Sequence, residues 1–154
     1  MTLAQAKDIA AIIGAIVGLA ALLKGVIEYS CQGAQKRAEH FLTMRKRLKE
    51  NTQFKEICAL LETNDPALRE IPFKEKRDFL GYFEEVAILM NSRLISKHVA
   101  HYMFAYYAIR CWESGNFWNS VNRNSIYWMV FGDFVERMNK LEKRFLFKRR
   151  HYRF

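Results

Sequence analysis

Cysteine is scarce in this chain, and its spacing excludes the usual roles of the residue. Cys31, Cys58 and Cys111 form an odd set without a C-x-x-C pair, which points to reduced thiols in a reducing compartment. No glycine-rich loop of the kind that cradles phosphate is present. The paired carboxylates Glu84 and Glu85, the cysteines and the serines offer no nucleophile-plus-base arrangement. His98 and His101 stand one turn apart without an Asp, Glu or Cys ligand set beside them, so neither a metal nor a cofactor is expected. Also missing are alternating strand patterns, internal repeats and low-complexity linkers. What remains is an all-α reading.

Against those absences stands one long apolar run, Ile9–Ile27 (IAAIIGAIVGLAALLKGVI), in a chain of 154 residues. Ile9 through Leu23 carries no charged or hydrogen-bonding side chain. As a helix the run extends about 28 Å at ~1.5 Å per residue, close to the ~30 Å hydrocarbon thickness of a bilayer. Lys24 interrupts it only where a lysine stem can reach the headgroups. The sequence therefore predicts a transmembrane helix in residues 1–30 and a helical cytosolic domain in residues 31–154. A cleaved signal peptide suits the first thirty residues poorly. Its charged region would be one lysine beside an aspartate, no A-x-A site follows Leu23, and Glu28 and Tyr29 spoil a lipoprotein site at Cys31.

The net charge of +9 is unevenly placed. Before Cys31, Lys7 and Lys24 balance Asp8 and Glu28, so the excess lies after the apolar run. Lys36, Arg37, Arg45, Lys46, Arg47 and Lys49 follow it closely. The positive-inside rule keeps that flank in the cytoplasm and the short N-terminus outside.

Helices are expected over Gln32–Glu50, with a narrow stripe of Ala34, Ala38, Phe41, Leu42, Met44 and Leu48, and over Gln53–Glu62, ended by the breaker Asn64-Asp65-Pro66. Pro72 suits the first turn of the next helix. Phe73–Met90 repeats Phe73, Lys76, Leu80, Phe83, Ala87 and Met90 at helical spacing. Ile95–Trp112 repeats Val99, Tyr102, Tyr106 and Ile109 behind a Ser96 cap. After the loop signal Ser114-Gly115-Asn116, Ser125–Phe147 repeats Tyr127, Val130/Phe131, Phe134, Met138, Leu141 and Phe145.

Three signals bear on function. Within the apolar run, Ala11, Gly14, Gly18, Ala21 and Gly25 recur at alternating steps of three and four, making one stripe of small residues. Gly14-x-x-x-Gly18 is a small-xxx-small pair, which lets helices approach closely in lipid. With a single span per chain, the stripe predicts homo-oligomerisation through this helix. A ring of such helices would enclose an apolar constriction, with Lys24 and Glu28 facing its cytosolic mouth. An accidental stripe and an ordinary interfacial ion pair are the plainer readings of the same residues.

Second, Arg93-Leu-Ile-Ser-Lys-His98 is an R-x4-H at the junction of two predicted helices. Histidine near neutrality can exchange protons with a ribose hydroxyl, and arginine can neutralise a phosphate. The spacing and placement resemble the ribonuclease motif of HEPN domains, where one such pair from each of two protomers forms a metal-free site. Leu94 stands where HEPN nucleases carry Asn, Asp or His, and Arg144 to His151 matches the loose motif again. The pair Arg93 and His98 is accordingly read as structural or vestigial and the chain as non-enzymatic, with a membrane-tethered, metal-independent ribonuclease as the alternative.

Third, the C-terminus interleaves Lys140, Lys143, Arg144, Lys148, Arg149, Arg150 and Arg153 with Phe145, Phe147, Tyr152 and Phe154. Such alternation suits anionic lipid headgroups or single-stranded RNA, and its plain reading is a solvated tail. A non-enzymatic membrane scaffold binding lipid or RNA through this tail is a further alternative.

The order of one N-terminal span, a basic linker helix, an aromatic-rich helical domain and a central R-x4-H resembles the small single-span, HEPN-like membrane accessory proteins of type VI-B CRISPR systems. It also resembles a broader bacterial family of single-span proteins, whose helices carry motifs like Phe83-Glu84-Glu85-Val86-Ala87-Ile88-Leu89 and Tyr107-Ala108-Ile109-Arg110-Cys111-Trp112-Glu113. The narrower resemblance implies an inner-membrane oligomer with a central pore. Its functional partner would be an RNA-guided, RNA-targeting effector, whose activity would trigger depolarisation and slow phage growth. It also implies that Arg93 and His98 sit in a degenerate HEPN site.

Overall fold

The computed structural model describes residues 3–144, with the side chains of residues 3–12, 30, 31, 34 and 144 outside that description. Among the described residues five α-helices follow one another, α1 (Leu3–Glu50), α2 (Thr52–Thr63), α3 (Phe73–Asn91), α4 (Lys97–Glu113) and α5 (Met129–Arg144), with 3-10 turns at Pro66–Arg69 and Ile126–Trp128. No strand occurs among the described residues, and the all-α class holds. The chain divides into two compact units, residues 1–36 and 37–154. The first lies wholly in α1. The second is a helical bundle that includes the last part of α1.

Local chemistry explains several of the helix boundaries in the bundle. Asn51 caps α2 by accepting from the Phe54 amide, and Asn64 ends it in the left-handed conformation at φ 51°. The Asp65 carboxylate accepts from the Ala67 amide and starts the 3-10 turn, with Pro66 at its first position. Pro72 stands immediately before α3, where its missing N–H leaves no helical bond unmade. The Ser96 hydroxyl caps α4 by accepting from Val99.

Aromatic rings fill the bundle interior. Phe54, Phe79, Tyr82, Phe83, Phe104, Phe117 and Phe131 are all buried. They meet largely edge to face, as Phe79 and Phe83 do at 5.1 Å between centroids and Tyr82 with Phe54 at 5.4 Å. α5 packs against both α3 and α4. The loop after α4 is pinned rather than free. Ser114 Oγ donates to Asn64 Oδ1 at 2.6 Å, Asn116 Nδ2 donates to the Asn64 carbonyl at 2.8 Å, and Trp118 Nε1 donates to the Cys111 carbonyl at 2.9 Å.

Five expected core positions lie elsewhere. Phe73 opens α3 and is 56% exposed. Tyr102 and Tyr106 face solvent, since α4 buries Ala100, His101, Phe104, Ala105, Ala108 and Cys111 instead. Small alanines rather than bulky tyrosines mark the packed face, and Arg110 lies 4.6 Å from the centroid of the Tyr106 ring on the outer one. Tyr127 is exposed because a 3-10 turn, not the helix, carries it. Leu42 is likewise exposed, whereas Phe41, Met44 and Leu48 are buried as their spacing predicts. Ala34 and Phe145 lie outside the described side chains.

Candidate functional site

The described side chains of the N-terminal unit begin at Ile13. From there Ile13, Ile16, Val17, Leu19, Leu22, Leu23, Val26 and Ile27 are all more than half exposed. At about 100° per residue these positions cover roughly 220° of the helix circumference, and Gly14, Gly18, Ala21 and Gly25 fill the remaining arc, so the unit has no extended polar face. The small residues Gly14, Gly18, Ala21 and Gly25 share this surface, and Ala11 lies outside the described side chains. A methyl group added at Gly14, Gly18 or Gly25 would meet nothing within 4 Å. Lys24 and Glu28 are exposed one turn apart. Among the described residues no helix is long and apolar enough to cross a membrane. The part of the run with described side chains, Ile13–Ile27, is shorter than the ~20 residues a span needs, and the side chains of residues 9–12 lie outside the description.

In the bundle, Arg93 occupies a position usually filled by glycine. The amide of Leu94 donates to the Leu89 carbonyl at 2.9 Å and that of Arg93 to Met90 at 3.1 Å, the two bonds of a Schellman cap on α3. That geometry places Arg93 at φ 59°, in the left-handed region, at a cost of roughly 1–2 kcal/mol for a residue with a Cβ. Its side chain is exposed. His98 falls in the first turn of α4, half-buried, with Nδ1 inside. Hollows of about 420 Å³ and about 370 Å³ flank Arg93, and His98 lines neither. Within one chain, then, the two members of the R-x4-H do not converge on a common cavity.

His101 is buried in the packed face of α4, and desolvation lowers its pKa, opposed by the nearby Glu142 carboxylate. Both described thiols are free and buried. Burial, with Glu62 adding to it, pushes Cys58 up to about 12, and burial holds Cys111 well above its ordinary value. Neither is a nucleophile at neutral pH. Among the described residues, no group of His, Cys, Asp or Glu could hold a metal ion.

Sequence periodicity put Lys76 on the core stripe of α3 as its one charged member, and the structure buries it almost completely, at 2% exposure. Nζ donates to the carbonyls of Arg69 and Asn119, both at 3.4 Å, and lies 5.8 Å from the Phe117 ring centroid. Desolvation lowers its pKa, against the pull of Glu70. Lys76 therefore ties the 3-10 turn to the loop after α4. Of the C-terminal cations, Lys140 and Lys143 are exposed on α5, while Lys148, Arg149, Arg150 and Arg153 lie outside the described residues.

No protein-family model matches the chain, and no curated protein or solved structure matches it either.

Proposed function

We propose that this protein is a single-pass membrane protein of a bacterial inner membrane, with its helical bundle in the cytoplasm, whose N-terminal helices assemble with those of sister chains into an apolar pore. The carrying observation is the exposure of eight large apolar side chains around the helix from Ile13 to Ile27. Each such side chain gains about 1.5–3 kcal/mol on leaving water, so leaving all eight wet costs on the order of 10 kcal/mol, comparable to the whole stability of a small domain. Lipid and neighbouring helices are the coverings that fit. The Gly14, Gly18, Ala21 and Gly25 stripe favours helices, because close backbone approach is what drives association inside lipid. The cationic flank from Lys36 to Lys49 supports a cytoplasmic bundle.

The resemblance to accessory proteins of type VI-B CRISPR systems supplies the biological reading. Pores would open when an RNA-guided effector engages its RNA target, and the resulting depolarisation would slow phage growth. The test is a membrane-potential dye in cells carrying the effector, a matching target RNA and this protein. Voltage should collapse only when all three are present. An unchanged potential under those conditions rejects the pore.

A further inference from the structure

The concave surface where the α3–α4 turn faces α5 is basic, and no carboxylate lines it. Its larger hollow, about 420 Å³, has Arg93, Lys97, Arg137 and Lys140 around apolar Met90 and Met138. The adjoining hollow of about 370 Å³ shares Arg93 and Lys97 and adds Arg37. Lys140 is engaged by Glu136 from outside the hollow, one turn back on α5. Arg137 is oriented by a neutral partner, its Nη1 donating to Asn91 Oδ1 at 2.6 Å, and among the described residues the only carboxylate shown to feel its charge is the exposed Glu136, which Lys140 also engages. Gathering like charges at a concave wall is unfavourable without an anion to share them, and concave walls concentrate their field. Arg93 adds a second, independent sign. It occupies a left-handed cap position at φ 59° that glycine would fill with less strain.

We propose that this cleft binds the linked phosphates of a small ligand. Arginine forks engage phosphate oxygens in pairs, and several cations spaced around one hollow suit a di- or triphosphate better than a single phosphate. The volume lies within the range of small-molecule sites. Single-stranded RNA is less favoured, because such strands stack their bases on aromatic side chains, and no aromatic residue lines either hollow. The proposal concerns the bundle alone and does not depend on the pore.

The experiment is calorimetric titration of the full chain, in detergent, with inorganic tripolyphosphate. Saturable binding is expected, weakened about tenfold or more by Arg137→Gln and by the double change Arg93→Gly with Lys97→Gln, as follows from loss of charge-assisted bonds. Arg93→Gly matches the backbone it enters, so thermal melting by circular dichroism should show these variants folded. Arg149→Gln, in the C-terminal tail, should bind as the parent does. Repeating the titration in phosphatidylcholine vesicles with and without phosphatidic acid separates the sources. Loss of tripolyphosphate binding when phosphatidic acid is present assigns the site to a headgroup, and unchanged binding assigns it to a free ligand. Absent binding, binding indifferent to the cleft variants, or equal weakening by Arg149→Gln overturns the proposal. So does RNA affinity that rises with strand length and is lost in the same variants.

Discussion

Tyr82 Oη donates a hydrogen bond to the backbone carbonyl of Met44 at 3.0 Å, from the buried face of α3 to the last part of α1. The ring beneath that hydroxyl also meets Phe54 and Phe83 at 5.4 and 5.1 Å, and Arg47 lies 5.8 Å above it. The same guanidinium pairs with Glu85 of α3 at 2.7 Å. The hydroxyl is therefore a buried polar bond inside an apolar contact. Tyr82→Phe keeps the packing and removes the bond, leaving a helical carbonyl that retains its own chain partner. The expected loss is about 1 kcal/mol of stability, read as a lower melting temperature of the full chain in detergent. Tyr82→Ala, which also opens a cavity, should cost about 3–5 kcal/mol.

Thiol chemistry gives a direct measure of the bundle's closure. Cys58 and Cys111 are buried, and burial holds both thiols protonated at neutral pH. In a Cys31→Ser background, an aromatic disulfide reagent should label neither residue of the native chain at about pH 8. Both should react once denaturant unfolds it. Rapid labelling of the native chain would show that the bundle opens more readily than its packing implies.

The bundle's helices could be read from the sequence because their caps are local. Ser96 and the Asn64-Asp65-Pro66 breaker act on neighbours within a few positions and stand where expected, while Pro72 stands one position ahead of the first turn it was expected in. Which face each helix buries is a longer-range matter. On α4 the eye follows Tyr102 and Tyr106, yet close packing selects the side carrying Ala100, Ala105 and Ala108. Small residues contribute little to an apolar stripe but permit the helix approach that decides it. Lys76 was legible as an oddity and not as a tie, because its carbonyl partners at Arg69 and Asn119 are brought to it only by the tertiary fold. The basic cleft was hidden for the same reason. Arg93 stood out through its spacing to His98, whereas its neighbours in the hollow, Arg137 and Lys140, come from a helix distant in sequence.

His101 makes the bundle sensitive to acid. Its pKa is lowered in the folded chain, chiefly by burial. Above the ordinary histidine range the ring is neutral in both states and contributes no pH dependence. As pH falls through that range, the unfolded chain takes up a proton that the folded chain resists, so stability declines until the folded pKa is reached. Melting temperature should drop between about pH 7.5 and about pH 5.5. The slope, whatever the absolute stability of the variant, should be shallower in His101→Gln. Equal slopes would assign the acid sensitivity to other groups.

Arg93→Gly should stabilise the fold even as it removes a charge. The left-handed backbone at φ 59° strains a residue with a Cβ by roughly 1–2 kcal/mol, partly offset by the greater freedom of glycine in the unfolded chain. A net gain of up to about 1 kcal/mol is expected in denaturant titrations. Arg93→Val, whose branched Cβ tolerates this region least, should lose stability instead. If both changes behave alike, backbone strain is not what distinguishes this position.

The N-terminal helix offers the sharpest separation between a monomer property and an assembly property. Because a Cβ at Gly14 or Gly18 meets nothing within 4 Å, a bulky residue there has no clash to make inside its own chain. Leucine is also the better helix former, by nearly 1 kcal/mol over glycine. Gly14→Leu and Gly18→Leu should therefore leave the melting of the bundle unchanged. Their effect should fall on the contact between chains, where small residues let backbones approach. Mass measurement of detergent-solubilised particles is expected to give an oligomer for the parent and smaller species for the double variant. Leu19→Ala, off the stripe, should leave the mass as it is. A parent that is monomeric in several detergents, or a double variant that assembles as the parent does, would remove the stripe as an interface and with it the pore it was meant to line.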